Sequence, residues 1–345
     1  MKAIQITATG KIGTIEIEKP VPESGEVLIK ILYAGFCGSD LNTFAGKNPM
    51  VKLPVIPGHE IGAEIVETGK DVPTFLKKGL LCTVNPYTAC GHCTSCRNGR
   101  PNACRFNETF GVQRDGAMLE YKTVPWEKVI IDEENRLSAL EFALVEPLSV
   151  GFHAVARGQV SDLDTVLVIG CGMIGLGALI RSVIRGARVI AADVDDEKLA
   201  MAQNLGALYT INTRTEDVHS RLMEITSGAG PDAVIEAVGV PATYQMAINE
   251  VTFTGRVVCI GYAKTDISFE TKLFVQKELD IRGSRNAMPE DFRAVMQYMK
   301  KGNFPNTLIS GIYRPCQAAE AMQRWQAEPE KVFRIMIGFN DERIK

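Results

Sequence analysis

A glycine-rich turn constrains this 345-residue chain more than any other feature of its sequence. The β-branched run Thr165–Ile169 leads into Gly170-Cys171-Gly172-Met173-Ile174-Gly175, and an acid, Asp193, closes the next strand-like segment. Gly170 permits a tight turn, Gly172 lets the backbone approach a pyrophosphate, and Gly175 lets helix and strand pack closely. The pattern predicts a dinucleotide-binding turn at the N-terminus of a helix, where the peptide dipoles attract phosphate.

Asp193 bears on which dinucleotide binds. A carboxylate at this position accepts hydrogen bonds from the adenosine ribose hydroxyls and repels a 2′-phosphate. Residues 194–197 add three acids and no arginine that could hold that phosphate. The sequence therefore predicts NAD in preference to NADP. Lys198 either closes over the ribose or is a solvated helix lysine, and both interpretations stay open here.

The segment around this turn alternates short strands with helices. Strand-like runs recur at residues 188–193, 209–212, 232–237, 255–261 and 279–283, and helical stretches separate them. Such a βαβ series predicts a doubly wound parallel sheet. Residues 1–150 differ, with many short β-like runs, frequent glycine and proline, and little helical periodicity. After residue 284 the chain reads as helix, turn, helix and strand.

Four cysteines with the spacing C-x2-C-x2-C-x7-C occupy a glycine- and proline-rich loop: Cys90, Cys93, Cys96 and Cys104. Four thiolates bind zinc tetrahedrally and leave no position for water or substrate, so this loop predicts a structural zinc site. A redox-active or iron–sulfur loop is the alternative. Disulfides are disfavoured because the cytosol is reducing, and the total of nine cysteines is odd.

A second, open metal site is indicated by residues far apart in the sequence. Cys37 follows a strand-like run, His59 and Glu60 precede an alternating segment, and Glu146 lies before Pro147 at a predicted helix start, with the proline in the first turn. Mixed Cys, His and Glu ligation is how catalytic zinc is built. Taken singly, each residue has an ordinary structural explanation: a small buried hydrophobe, a hydrogen-bonded histidine or a helix-end acid.

Composition excludes several classes of partner. The formal net charge is −3, which argues against a nucleic-acid or anionic-membrane surface. We see no apolar run long enough to cross a bilayer and no signal peptide at the start of the chain. A cytoplasmic enzyme acting on a small molecule is the expectation.

These motifs together resemble the zinc-containing medium-chain alcohol dehydrogenase superfamily, over essentially the whole chain. The resemblance rests on their joint order: Cys37-Gly38-Ser39-Asp40, Gly58-His59-Glu60, the four-cysteine loop, Glu146-Pro147 and the glycine motif. It implies an α/β chain whose GroES-like, β-rich catalytic domain comprises residues 1–150 and 284–345. A Rossmann cofactor domain, residues 151–283, is inserted between these segments. Two zinc ions, NAD and a homodimer or homotetramer are also implied.

Site roles follow from the same resemblance. Cys37 and His59 match catalytic zinc ligands, and either Glu60 or Glu146 would be the third ligand. Asp40 would orient His59. Mechanistically, the zinc-bound hydroxyl of the substrate would lose its proton to Ser39 and its carbon would give hydride to the nicotinamide.

The proton route and the substrate are indicated by fewer residues than the metal sites. Many relatives carry a histidine shortly after the C-x-S-D motif, but this chain has Asn42, which cannot ionise, so water or a cofactor hydroxyl would carry the proton onward.

The polyol and sugar-acid branch looks closest, with hexonates such as L-galactonate or L-gulonate preferred over neutral polyols or L-threonine. Arg285, with Asn286, is the predicted anchor for a substrate carboxylate, against an ordinary ion pair. A catalytically silent cofactor-binding relative and a zinc-thiolate binding module are the non-enzyme alternatives.

Overall fold

Short antiparallel strands dominate the first part of the chain in the computed structural model, which describes residues 1–302 and 306–339. The strands are β1 (Lys2–Ala8), β2 (Lys11–Glu16), β3 (Glu26–Phe36), β4 (Glu60–Thr68), β5 (Leu81–Val84), β6 (Tyr121–Pro125) and β7 (Val129–Ile131). Three helices accompany them: α1 (Gly38–Phe44), α2 (Thr94–Arg97) and α3 (Ala139–Gly158).

The start of α3 corrects the sequence prediction. The helix begins at Ala139, so Pro147 lies inside it and not in its first turn. Ser138 and Glu141 cap the true start reciprocally: the Glu141 N–H donates to Ser138 Oγ at 3.3 Å, and the Ser138 N–H donates to Glu141 Oε2 at 2.8 Å. The earlier start places Glu146 in the middle of a long helix.

Helix α3 is also long and apolar enough to cross a membrane, although no run of that kind is evident in the sequence. Of its most apolar 18-residue window, 83% is buried inside the fold. It is therefore a core helix of the protein.

Alternating strands and helices follow. The strands are β8 (Thr165–Ile169), β9 (Arg188–Asp193), β10 (Tyr209–Asn212), β11 (Ala233–Glu236), β12 (Arg256–Cys259) and β13 (Asp280–Gly283). The helices are α4 (Met173–Ile184), α5 (Asp196–Asn204), α6 (Val218–Ile225), α7 (Pro241–Glu250) and α8 (Lys272–Gln276). All six strands are parallel in the order β10-β9-β8-β11-β12-β13, which confirms the doubly wound sheet. The order reverses between β8 and β11, the position where such sheets bind ligands.

The end of the chain returns to the first sheet. It contributes α9 (Pro289–Met299), β14 (Gly311–Tyr313), α10 (Ala318–Ala327) and β15 (Ile335–Gly338). The seven-stranded sheet has the order β14-β15-β3-β4-β5-β7, with β6 also paired to β3. Its buried aliphatic side chains, Ile29, Ile31, Ile61, Ile65 and Ile335 among them, form one core.

Two compact units result from this topology. The first comprises Met1–Glu146 and Met288–Lys345, and the second is Pro147–Ala287. The metal-ligand candidates all belong to the first unit, and the glycine-rich turn belongs to the second.

Candidate active site and metal centres

Cys37 is placed by the junction between β3 and α1. It is the N-cap residue of α1, and Asp40 accepts a hydrogen bond from its backbone N–H at 2.8 Å. An acid three residues after the N-cap stabilises the start of a helix by this contact and by its charge. The thiol is therefore held at a fixed helix start.

His59 and Glu60 lie where β4 begins, beside the end of β3. Gly35 pairs with Glu60 across the two strands, and a Cβ atom on Gly35 would lie only 2.1 Å from Glu60 Oε2. The glycine thus leaves room for the carboxylate. One ligand atom from each of Cys37, His59 and Glu60 lies within 4.8 Å of the others. The fold thus brings together a thiol, an imidazole and a carboxylate, as a mixed zinc site requires.

The two candidate glutamates have different counter-groups. Glu60 is fully buried, and its Oε2 lies 3.2 Å from Nε of Arg334, whose side chain is also buried. Glu146 accepts a short hydrogen bond from the hydroxyl of Tyr87. The two carboxylates therefore face different groups, a guanidinium for Glu60 and a phenol hydroxyl for Glu146.

The charges around the site stabilise a cation. Burial raises the pKa of Glu60 to about 7, with a further rise from Glu146 and an opposing effect from Arg334. Burial alone would lower the pKa of His59, but the Cys37 sulfur and the Glu146 carboxylate outweigh it and hold that pKa well above its ordinary value. A buried imidazole that favours its charged form indicates a strongly negative local potential. Such a potential suits a divalent metal ion.

Among the residues that the structure describes, several buried polar atoms at this position have no hydrogen-bond partner: Ser39 Oγ, Asp40 Oδ1, His59 Nδ1 and both carboxylate oxygens of Glu60, of which Oε2 has only its ion pair with Arg334. Buried polar groups are normally paired, so a concentration of this kind indicates a ligand-binding site. The donor set fits zinc. Neither Asp40 Oδ1 nor His59 Nδ1 has a hydrogen-bond partner among the described residues, so the orienting role of Asp40 stays a prediction.

The four-cysteine loop forms a separate cluster. The sulfurs of Cys90, Cys93, Cys96 and Cys104 offer ligand atoms within 4.8 Å of one another. Backbone N–H groups of Cys90 and Phe106 donate to Cys104 Sγ, each at 3.3 Å. The Ser95 hydroxyl and backbone N–H groups lower the pKa of Cys93 to about 5. Donors aimed at sulfur favour the thiolate that binds metal, so this donor set also fits zinc.

The glycine-rich turn in the second unit has the expected backbone. Gly170 has a φ of 94°, and a Cβ on Gly175 would lie 1.8 Å from the Gly170 carbonyl oxygen. Gly172 is the N-cap residue of α4, so Met173 and Ile174 begin the helix. Asp193 Oδ2 accepts a hydrogen bond from the Cys171 N–H at 2.6 Å. The carboxylate is thereby fixed beside the turn.

Three further candidates lie elsewhere in this unit. Lys198 is buried in the first turn of α5, behind the Asp195 cap. Arg285 and Asn286 follow β13, where Arg285 is exposed and Asn286 has a φ of 54°. Their substrate and cofactor roles stay predictions.

Two residues of the site were missed by sequence reasoning. Tyr87 lies shortly before the four-cysteine loop, with no signal that separates it from a core tyrosine. Arg334 did carry a signal, because it is the one charged residue in the apolar segment 332–337. A lone cation in such a segment indicates a buried ion pair.

Comparisons with known proteins agree with this architecture. The alcohol dehydrogenase GroES-like domain family matches residues 23–132, and the zinc-binding dehydrogenase family matches residues 174–301. L-galactonate-5-dehydrogenase of Escherichia coli K12 is 34% identical over 323 residues, which cover 93% of this chain and 94% of that protein. Sorbitol dehydrogenase of Halalkalibacterium halodurans is 32% identical over 325 residues, covering 91% and 92%.

A solved structure supports the same assignment. An alcohol dehydrogenase from Escherichia coli CFT073, crystallised with NADH, superposes with a TM-score of 0.90 at 30% identity and covers 98% of this chain and 99% of its own. The chain therefore belongs to the zinc-containing medium-chain alcohol dehydrogenase family, as a polyol or alcohol dehydrogenase that uses zinc and NAD.

Proposed function

We propose that this enzyme oxidises a secondary alcohol of a sugar acid, a hexonate such as L-galactonate or L-gulonate, with NAD as acceptor. The observation that carries the reaction is the buried group of Cys37, His59 and Glu60, whose ligand atoms lie within 4.8 Å of one another. The choice of a sugar acid is supported by the 34% identity to L-galactonate-5-dehydrogenase. A neutral polyol is the second candidate, because a sorbitol dehydrogenase is 32% identical.

The residues of the first unit would hold the catalytic zinc. Cys37, His59 and Glu60 are the proposed ligands, with Glu146 beside them and engaged by Tyr87. Zinc in this position supplies a Lewis acid that lowers the pKa of a substrate hydroxyl, and NAD supplies the hydride acceptor. We assign the catalytic role to residues 1–150 with 284–345, and the cofactor role to residues 151–283.

The reaction removes one proton from the substrate hydroxyl and one hydride from its carbon. Ser39 Oγ is buried and has no hydrogen-bond partner among the described residues. It can take the proton of the substrate hydroxyl while it passes its own hydroxyl proton on to water or a cofactor hydroxyl. As that proton leaves the oxygen, the carbon loses hydride to NAD and becomes a ketone, so NADH and a proton are formed. The site must exclude bulk water while it orients the substrate hydroxyl toward NAD. Asn42 still implies that water or a cofactor hydroxyl carries the proton away.

Asp193 is the proposed determinant of NAD preference. Its carboxylate is fixed by the backbone N–H groups of Cys171, Val194 and Asp195, at 2.6, 2.8 and 3.1 Å. A carboxylate held in this way repels a 2′-phosphate. We also propose a cytoplasmic homodimer or homotetramer, which light scattering on the purified enzyme would test.

The test is steady-state oxidation by zinc-loaded enzyme with NAD and, in parallel, NADP. The panel comprises L-galactonate, L-gulonate, sorbitol, xylitol and L-threonine. We expect the highest kcat/KM on a hexonate with NAD. Higher kcat/KM on sorbitol would replace the sugar acid by a neutral polyol, and no turnover on any alcohol would indicate a silent relative. A Cys37→Ser variant with an intact four-cysteine loop is the matched inactive control.

A further inference from the structure

Two cationic side chains lie over one buried aromatic ring in the first unit, and a third cation interacts electrostatically with one of them. The Arg114 guanidinium carbon lies 4.1 Å from the centroid of the Phe110 ring, and Lys122 Nζ lies 4.5 Å from it. Lys128 is the third cation, and the positive charge of Arg114 acts on both lysines. Phe110 itself is only 4% exposed. The cations are therefore partly withdrawn from water.

Within the part of the chain that the structure describes, none of the three cations forms an ion pair, and Arg114 Nε is buried without an acceptor. Lys122 and Lys128 donate to neutral carbonyls of described residues, those of Asp115 at 3.1 Å and Tyr87 at 2.7 Å.

The pKa of both lysines is lowered by this environment. Burial, with Arg114 adding to it, lowers the pKa of Lys122 to about 8, and the same two causes lower the pKa of Lys128. The acids that act on the cluster, Glu108, Asp115 and Glu127, are exposed on the surface. An anion bound among the cations would relieve their mutual repulsion.

The cluster is built on the backbone that carries His59. Gly111 and Arg114 close a tight turn, in which the Gly111 N–H donates to the Arg114 carbonyl at 2.8 Å. A Cβ on Gly111 would lie 2.5 Å from the Gly58 nitrogen, so this turn packs directly on the residue before His59. The Ala117 N–H also donates to the Gly58 carbonyl at 2.9 Å. The backbone that carries Arg114 thus packs directly on the backbone that carries His59.

We propose that Arg114 and Lys122, supported by Lys128, form an anion-binding site for the carboxylate or phosphate end of the substrate, whose alcohol reacts at Cys37, His59 and Glu60. This assignment rests on the proposed function and deepens it by naming the residues that select an acidic sugar. A guanidinium pairs with either anion through two parallel hydrogen bonds, and a nearby ammonium adds a point charge. Arg114, and not Arg285, then anchors the acid.

The first experiment compares substrates that differ in their end group. Zinc-loaded wild type, Arg114→Gln, Arg114→Lys, Lys122→Gln and Arg285→Gln are assayed with L-galactonate, sorbitol 6-phosphate and sorbitol. We expect Arg114→Gln and Lys122→Gln to raise KM for the anionic substrates about tenfold or more. Sorbitol should keep its KM within about twofold, since it has no anion to bind. Which anionic substrate loses more identifies a carboxylate or a phosphate as the natural end group.

The second experiment is independent of turnover. Titration calorimetry measures binding of inorganic phosphate to the zinc-loaded enzyme saturated with NADH. Arg114→Gln should weaken this binding about tenfold, with Arg114→Lys intermediate. Lys19→Gln is the matched control, because Lys19 is exposed and also lies over an aromatic ring, that of Tyr121 at 4.1 Å.

The two experiments separate the site from the proposed substrate. Arg114-dependent phosphate binding without turnover of hexonates would reject the sugar acid but retain the anion site. Hexonate turnover with KM and phosphate binding unchanged in Arg114→Gln and Lys122→Gln would overturn the anion site. A tenfold rise in KM confined to Arg285→Gln would also overturn it.

Discussion

Removal of the Arg334 charge should destabilise the first unit strongly. Arg334 is 3% exposed and Glu60 is 0% exposed, and their side chains lie 3.2 Å apart. Arg334 also donates to the Phe36 carbonyl at 2.8 Å. Arg334→Met keeps the apolar stem but leaves a buried carboxylate without its cation. Breaking a buried pair in this way costs about 3–5 kcal/mol.

Removing both charges should recover most of that loss. In the double variant Arg334→Met with Glu60→Gln, the carboxylate that faces Arg334 is gone together with its cation, and such replacements are often close to neutral. The coupling energy of the double-mutant cycle is then large and of opposite sign to the single effects. The exposed pair of Lys331 and Glu328, 3.2 Å apart in the same unit, supplies the control: Lys331→Gln should cost about 0–1 kcal/mol.

The assay is urea unfolding of metal-free protein, followed by tryptophan fluorescence. It is run at pH 9, because the pKa of Glu60 is about 7 in the folded protein and its carboxylate is ionised at that pH. Both tryptophans, Trp126 and Trp325, belong to the first unit, so the signal reports on that unit. A cost below about 1 kcal/mol for Arg334→Met, or a double variant no more stable than the single one, would refute the reasoning.

The pH dependence of the same unfolding has a definite sign. The pKa of Glu60 is about 7 in the folded protein, above its ordinary value of 4.5, so the native state holds a proton that the unfolded state has lost. The contribution of Glu60 to stability therefore falls as pH rises from 4.5 to 7. Arg334→Met raises this pKa further, so the decline should continue above pH 7. Glu60→Gln should abolish it.

Three further outcomes are expected. Tyr87→Phe removes the donor to Glu146 and should lower kcat about 10- to 100-fold with both metals retained, measured by steady-state kinetics and metal analysis. Cys93→Ser should lower the zinc content from two ions to one per chain and reduce the thermal midpoint, because one ligand of the closed site is lost. Asp193→Ser should raise KM for NAD and permit turnover with NADP, since the carboxylate that repels the 2′-phosphate is gone.

The second unit was predictable because its signals are local. The strand, the glycine turn, the helix and Asp193 follow one another within 29 residues, from Thr165 to Asp193, and each step has its own backbone requirement. The same holds for the four-cysteine loop, where ligand spacing alone indicates the metal. Both patterns depend on neighbours in sequence, so the rest of the fold does not need to be known.

The catalytic group depended on non-local contacts. Cys37 and His59 are brought together by the pairing of β3 with β4, and Arg334 arrives through β15, which pairs with β3 from the far end of the chain. The early start of α3 was missed because Pro147 resembled a first-turn proline, while the capping pair of Ser138 and Glu141 fixed the start at Ala139, eight residues before Pro147. Pairing partners of this kind are decided by the assembled sheet and core.

The choice of third zinc ligand, open between two glutamates on sequence alone, turns on their partners. Glu60 belongs to the group whose ligand atoms lie within 4.8 Å, and the Arg334 charge opposes the rise in its pKa that burial causes. Arg334 thus helps to keep Glu60 ionised, as a metal ligand must be. Glu146 is held by the Tyr87 hydroxyl, and its charge adds to the negative potential at His59. We therefore infer that Glu60 ligates zinc and that Glu146 strengthens the field around it.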